Sequence, residues 1–125
     1  MRLLFDTHVV LWQLEEDRNL SPEAEAAIDA ATELAFSVVS FAEIGVKAAV
    51  GKLEVPKDLR THVVDAGFRI LGLSAEHGLG VADLPMRHRD PFDRLLISQA
   101  QAEGLTIVTA DARFAEYDVT VVPAT

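Results

Sequence analysis

Short apolar runs alternate with longer amphipathic segments along the whole chain. Leu3-Leu4-Phe5 begins without a polar lead-in, which is typical of a central parallel strand covered on both faces. Similar runs recur downstream, and the predicted strands are Leu3–Phe5, Leu34–Ser37, Phe68–Leu71, Leu105–Val108 and Val119–Val122. The pattern therefore predicts a mostly parallel sheet of about five strands.

Helical segments with start and stop signals separate these strands. A Ser-Pro pair at 21–22 and an Asp-Pro pair at 90–91 are typical of a capping residue followed by the first helical residue. Ser40 and Glu43 have the spacing of a capping box, and Asp17-Arg18-Asn19 breaks the pattern after the first helix. The predicted helical segments are Val9–Leu14, Pro22–Ala31, Ser40 to Gly51, Pro56–Ala66, Ser74 towards Leu84, Pro91 to Gly104, and one or two turns over Asp111–Tyr117. Strands that alternate with helices predict one α/β domain over residues 1–125, in which helices cover both faces of the sheet.

Composition narrows the classes of protein to which the chain can belong. It has 125 residues and no cysteine, which excludes disulfides, thiolate catalysis and Cys-ligated zinc and is compatible with a cytoplasmic location. Neither a membrane-spanning apolar run nor a signal peptide is recognisable. The formal net charge is −9, whereas a bare nucleic-acid binder should be basic. Contact with nucleic acid would therefore require a local basic patch, bound cations or a basic partner.

Four acidic side chains stand at predicted helix starts: Asp6, Glu43, Asp93 and Asp111. In a parallel α/β sheet such positions tend to share the edge at which ligands bind. Helix capping explains each acid separately, at about 0.5–2 kcal/mol apiece, but Ser, Thr or Asn would cap without mutual repulsion. Carboxylates that converge would favour a hard cation, Mg²⁺ or Mn²⁺, which stabilises charge on a phosphodiester during hydrolysis. The spacing leaves both interpretations open.

Several short motifs follow one another in a distinctive order. They are Phe5-Asp6-Thr7-His8, Ser40-Phe-Ala-Glu43-Ile44 with Lys47, Gly51-Lys52-Leu53, His88-Arg-Asp-Pro-Phe-Asp93-Arg94-Leu-Leu-Ile97, and Thr109-Ala-Asp111 with Phe114. In this order, and at this chain length, they resemble the PIN-domain ribonucleases, in particular the VapC toxins of bacterial toxin–antitoxin pairs.

The resemblance implies a fold, an activity and a set of site residues. It implies a Rossmann-like PIN domain, a three-layer α/β/α sandwich, that hydrolyses RNA with a metal-activated water. The catalytic and metal-binding acids of the family fall on Asp6, Glu43, Asp93 and Asp111, with Mg²⁺ as cofactor and Mn²⁺ as substitute. Asp90 either binds metal or caps its helix, and Thr109 holds the fourth acid or a metal-bound water. A homodimer and a neutralising VapB-type antitoxin are also implied.

Basic residues near these acids have two interpretations. Arg87, His88, Arg89 and Arg94 either bind RNA phosphates or pair with neighbouring acids, Arg94 with Asp90 at i, i+4. Lys47 either contacts RNA or forms a helical ion pair with Glu43, four residues before it.

Two other classes of protein remain as alternatives. A phosphoryl-transfer domain would also carry an acid after the first strand. The dehalogenase type needs a second Asp where His8 stands, and a receiver needs an Asp after the third strand and a Lys after the last, which are missing. A non-catalytic interaction module with the acids as helix caps predicts no stabilisation by divalent ions.

Overall fold

The computed structural model describes residues 1–15 and 19–125, which contain a five-stranded sheet with helices on both faces. The strands are β1 (Arg2–Phe5), β2 (Glu33–Ser37), β3 (Phe68–Leu71), β4 (Thr106–Thr109) and β5 (Val121–Pro123). Their order is β3-β2-β1-β4-β5, and each neighbouring pair is parallel. The predicted α/β fold is thereby confirmed. The predicted break at Asp17 and Arg18 lies outside the described residues.

In the described part of the chain, six helices connect the strands: α1 (Thr7–Glu15), α2 (Pro22–Ala30), α3 (Val38–Ala49), α4 (Leu59–Asp65), α5 (Ala75–Gly80) and α6 (Pro91–Glu103). Two further segments, Val81–Asp83 and Ala112–Glu116, form 3-10 helix. None of the described helices is long and apolar enough to span a bilayer. As predicted, Ser21 caps α2 and Asp90 caps α6, each accepting a backbone N–H at 3.0 Å.

Two predicted helix starts are wrong. Helix α3 begins at Val38 because Ser37 is its cap and accepts the Val39 N–H at 3.0 Å, so Ser40 lies inside the helix. Helix α4 begins at Leu59 and not at Pro56, after Asp58 has turned the chain with a left-handed φ of 55°. In both cases the backbone reaches helical geometry at a residue that the spacing of polar and apolar residues did not indicate.

The alternation of side chains along the strands divides the apolar core into two layers. Leu3 and Phe5 of β1 point to the face covered by α1, α2 and α4, whereas Leu4 points to the face covered by α6. The residues of β1 from Leu3 onward are buried, as expected for a strand with helices on both faces. This burial places the residue that follows β1 at the centre of the sheet edge.

A close contact between α5 and α6 leads to a prediction about stability. A Cβ atom added at Gly80 would lie 2.6 Å from Ser98 Oγ, which donates to the His77 carbonyl oxygen at 2.6 Å. A Cβ added at Gly78 would meet nothing within 4 Å. We expect Gly80→Ala to lower the free energy of unfolding by about 1–3 kcal/mol, because Ser98 must break its hydrogen bond to make room. Gly78→Ala is expected to raise it by up to about 1 kcal/mol through helix propensity.

Urea denaturation of both variants measures this difference. Adding Ser98→Ala should recover part of the loss in Gly80→Ala, because the clashing oxygen is then gone. Equal stability of the two glycine variants would contradict the contact.

Candidate metal-binding site

The four acids singled out in the sequence line one cavity of about 380 Å³. Asp6 follows β1 and Asp111 closely follows β4, which is the neighbour of β1 in the sheet. Glu43 comes from α3 and Asp93 from the first turn of α6. The cavity thus lies beyond the carboxyl ends of adjacent central strands, at the point where the strand order reverses direction, and this is where such sheets bind ligands.

Glu43 lies in the middle of α3, although the sequence suggested a helix start. It is 2% exposed, and neither of its carboxylate oxygens caps a helix. The Thr7 hydroxyl, which also lies 2.7 Å from Ser40 Oγ, donates to Glu43 Oε1 at 2.7 Å. Lys47 Nζ donates to Oε2 at 2.6 Å, so the ion pair considered for Lys47 is present. Capping therefore does not account for this buried carboxylate.

Thr109 connects the first acid with the fourth. Its hydroxyl donates to Asp6 Oδ2 at 2.8 Å and accepts the backbone N–H of Asp111 at 3.0 Å. Both Thr109 and Asp6 are buried, at 2% and 6% exposure. The threonine thereby holds the Asp6 carboxylate and the backbone of Asp111 in fixed relation across β1 and β4.

His88 is a partner of Asp93 that the sequence interpretation grouped only with the neighbouring arginines. Its Nε2 lies 2.6 Å from Asp93 Oδ2 and 4.0 Å from Asp111 Oδ2. Its backbone N–H donates to the Tyr117 hydroxyl at 2.7 Å, which holds the loop in place. Within the described part of the chain, these three residues offer ligand atoms that all lie within 4.8 Å of one another. The five-residue spacing from His88 to Asp93 was the available signal.

Arg94 is enclosed by the protein and makes other contacts than the two considered for it in the sequence, RNA phosphates and the Asp90 carboxylate. It is 6% exposed, and its guanidinium makes five hydrogen bonds of 2.9–3.3 Å. The acceptors are the Tyr117 hydroxyl and the carbonyl oxygens of Val81, Leu84, Pro85 and His88. The predicted pairing with the Asp90 carboxylate is likewise replaced by these contacts. Arg94 instead fastens the loop that carries His88, whereas Arg87 and Arg89 are exposed.

The carboxylates of the cavity differ in how well their charge is compensated. Burial raises the pKa of Asp6, although the hydrogen bond from Thr109 opposes this. Burial, together with repulsion from Asp6 and Asp90, raises the pKa of Asp93 to about 7. The hydrogen bonds from Arg113 hold the pKa of Asp111 below its usual value. Buried oxygen donors with uncompensated negative charge fit a hard divalent cation such as Mg²⁺ or Mn²⁺.

The raised pKa of Asp93 predicts how stability depends on pH in chelator-treated protein. The pKa of Asp93 is about 7 in the folded state, against 3.8 for an unperturbed aspartate, so the folded state binds more protons between these pH values. Stability contributed by protonated Asp93 is therefore lost as the pH rises through this window, by roughly 1–2 kcal/mol. We expect Asp93→Asn to flatten this slope in urea titrations at pH 5–8 that contain EDTA. Parallel pH profiles of the two proteins would contradict the assignment.

Comparison with known proteins gives consistent matches over nearly the whole chain. Residues 3–119 match the family model described as "PIN domain". The chain is 31% identical over 119 residues to Ribonuclease VapC22 of Mycobacterium tuberculosis, a match that covers 89% of this chain and 88% of the relative. Among solved structures, VapBC2 from Rickettsia felis, bound to a promoter DNA fragment, superposes with a TM-score of 0.72 at 17% identity and full coverage of both chains. VapBC-5 from Mycobacterium tuberculosis, a member of a family of toxin–antitoxin systems, gives 0.65 at 20% identity, with 98% of each chain covered.

Proposed function

Because the chain belongs to the PIN-domain family and, within it, to the VapC ribonucleases, we propose that it is a metal-dependent endoribonuclease and the toxin of a toxin–antitoxin pair. The observation that carries the metal dependence is the convergence of Asp6, Glu43, Asp93 and Asp111 in one cavity. Three of the four are 9% exposed or less. Like charges that are buried close together repel one another, and a bound cation would offset this repulsion. Mg²⁺ is the proposed cofactor, with Mn²⁺ as a substitute.

In this proposal the acids hold the cation, and their neighbours fix the acids in place. Asp6 and Asp93 are the principal ligands, Glu43 and Asp111 line the same cavity, and Thr109 orients Asp6. When bound, the cation supplies Lewis-acid stabilisation of the phosphodiester and a water that is more readily deprotonated. His88 keeps Asp93 oriented through their 2.6 Å contact. Asp90 serves as the cap of α6.

RNA is the proposed substrate, in the cytoplasm. Arg87 and Arg89 are exposed on the loop that leads to Asp90, which lines the cavity. We propose that they bind backbone phosphates of the RNA, where an acidic protein needs local positive charge. Lys47 also lines the cavity and is a third proposed contact with RNA.

Two protein partners are also proposed. The superposed structures from Rickettsia felis and Mycobacterium tuberculosis are, by their descriptions, of VapBC type. By analogy with them we propose a VapB-type antitoxin that neutralises this chain. A homodimer of the chain itself, which the resemblance to the VapC toxins implies, is proposed as well. A basic side chain from the antitoxin would be complementary to the acidic cavity.

RNA cleavage by purified, partner-free protein tests the activity. Total cellular RNA is incubated with Mg²⁺, Mn²⁺ or EDTA, and wild type is compared with Asp6→Asn. Asp65→Asn makes the same change at an exposed carboxylate outside the cavity and is the matched control. We expect cleavage only with metal and only when Asp6 is present. The absence of cleavage in every arm, together with no thermal shift on addition of metal, would instead favour a non-catalytic interaction module.

A further inference from the structure

The four acids of the cavity form two pairs that differ in their partners. Glu43 and Asp111 each accept hydrogen bonds from a cationic side chain, Lys47 and Arg113 respectively. Among the described residues, no lysine or arginine lies within 4.0 Å of the carboxylates of Asp6 or Asp93. Lysine or arginine charge is therefore present at one pair of acids and missing at the other, where the basic neighbour is His88 beside Asp93.

Both oxygens of Glu43 are already in use. Oε2 accepts from Lys47 Nζ at 2.6 Å, and Oε1 accepts from the Thr7 hydroxyl at 2.7 Å. The side chain of Lys47 is 29% exposed and lines the cavity, so its ammonium group faces both the buried acid and the open space.

Both oxygens of Asp111 likewise accept hydrogen bonds from a cationic side chain. The donor is Arg113, which lies in the 3-10 helix that begins directly after Asp111. Arg113 Nε donates to Oδ1 at 3.1 Å and to Oδ2 at 3.2 Å, and Nη2 donates to Oδ2 at 2.7 Å. The Arg113 side chain is 59% exposed and also lines the cavity. Its second terminal nitrogen makes no hydrogen bond within the described part of the chain and remains available to an anion.

A second divalent cation at Glu43 or Asp111 would conflict with these side chains. It would bind the oxygens that now accept from Lys47 or Arg113, and so would lie within about 4 Å of a like charge in a partly buried site, where repulsion is strong. Asp6 and Asp93 have no lysine or arginine at this distance among the described residues. His88 Nε2 lies 2.6 Å from Asp93 Oδ2, but a cation bound there displaces no lysine or arginine.

We propose that the cavity takes one divalent cation, bound by Asp6 and Asp93, and that Lys47 and Arg113 bind the scissile phosphate of RNA in place of a second cation. An ammonium and a guanidinium that line the same cavity are suited to this, because phosphate oxygens accept charge-assisted hydrogen bonds from both. Neither side chain forms or breaks a covalent bond. The inference rests on the proposed ribonuclease activity and specifies how that site binds its substrate.

Counting bound Mn²⁺ tests the proposal without reference to activity. Free Mn²⁺ is measured by electron paramagnetic resonance during titration of wild type, of Lys47→Gln/Arg113→Gln, and of Lys52→Gln/Lys57→Gln. The last variant removes two exposed lysines outside the cavity and so makes the same change in net charge. We expect saturation at one Mn²⁺ per chain in wild type and control, and at two in Lys47→Gln/Arg113→Gln, in which Glu43 and Asp111 have lost their cations.

Kinetics provide the second readout. Lys47→Gln and Arg113→Gln are each expected to lower kcat by about 10²-fold, as removal of one transition-state donor does, whereas Lys47→Arg retains most of it. Two Mn²⁺ per wild-type chain, or a stoichiometry of one that persists in the double cavity variant, would overturn the proposal while the ribonuclease assignment stands. No Mn²⁺ binding and no RNA cleavage by wild type would refute the proposed function and this inference with it.

Discussion

Replacing Asp93 with Asn is expected to lower RNA cleavage by about 10³-fold or more while the protein remains folded. Asp93 lines the cavity, and burial and neighbouring charges raise its pKa to about 7, so its carboxylate has the greatest need of a cation. Losing this ligand removes several kcal/mol of transition-state stabilisation, which corresponds to the expected loss of rate. The fold should survive because Asn is nearly the same size and no longer repels Asp6 and Asp90. Cleavage rates and thermal unfolding of the same preparations measure the two effects.

Asp90→Asn is the matched control for this experiment. Asp90 lies three residues earlier, lines the same cavity and caps α6 by accepting the Asp93 N–H at 3.0 Å. Asn caps a helix about as well as Asp, so activity and stability should both be retained within about tenfold and about 1 kcal/mol. Full activity in Asp93→Asn would refute its assignment as a ligand. A loss in Asp90→Asn as large as that in Asp93→Asn would show that Asp90 also binds the metal.

Replacing Arg94 with Ala is expected to lower the free energy of unfolding by about 3–5 kcal/mol, the largest loss of stability that the structure predicts. The substitution removes a charged donor from four backbone carbonyls and from the Tyr117 hydroxyl, and it leaves a cavity where a side chain that is only 6% exposed was packed. Arg94→Lys should recover little of this, because an ammonium cannot reproduce the planar fork that reaches carbonyls on two sides. Denaturant titration monitored by circular dichroism measures the change.

Arg87→Ala and Arg89→Ala are the controls for Arg94, since they remove the same group from the loop that the Arg94 side chain of α6 contacts. Both residues are exposed, and surface substitutions of this kind usually change stability by less than about 0.5 kcal/mol. We expect their effect on RNA binding instead, as a higher KM and a weaker dependence of binding on salt. If Arg94→Ala unfolded no more easily than these two variants, the structural role of Arg94 would be wrong.

The sequence by itself determined the layout of elements and the family of the protein. Alternation of short apolar runs with capped helices indicates a parallel α/β sheet, because a strand buried on both faces, such as Leu3–Phe5, has few ways to be covered. The ordered motifs identified the PIN-domain family, which the match over residues 3–119 confirms. Signals such as Ser21-Pro22 and Asp90-Pro91 are local, and they placed the starts of α2 and α6 correctly.

Only the tertiary structure decided the long-range contacts of the charged side chains, whereas the spacing along α3 already indicated the Glu43–Lys47 pair. The sequence gives the same two interpretations for Arg87, Arg89 and Arg94. Only Arg94 lies on the inward face of α6, where the loop before the helix encloses it. The sequence placed Glu43 at a helix start, but it lies in the middle of α3. There it accepts hydrogen bonds from Thr7 of α1 and from Lys47 of α3. Capping depends on neighbours along the chain, and sequence periodicity reports these. The compensation of a buried charge depends on groups that the fold brings within 3 Å from distant positions, and no local pattern encodes that distance.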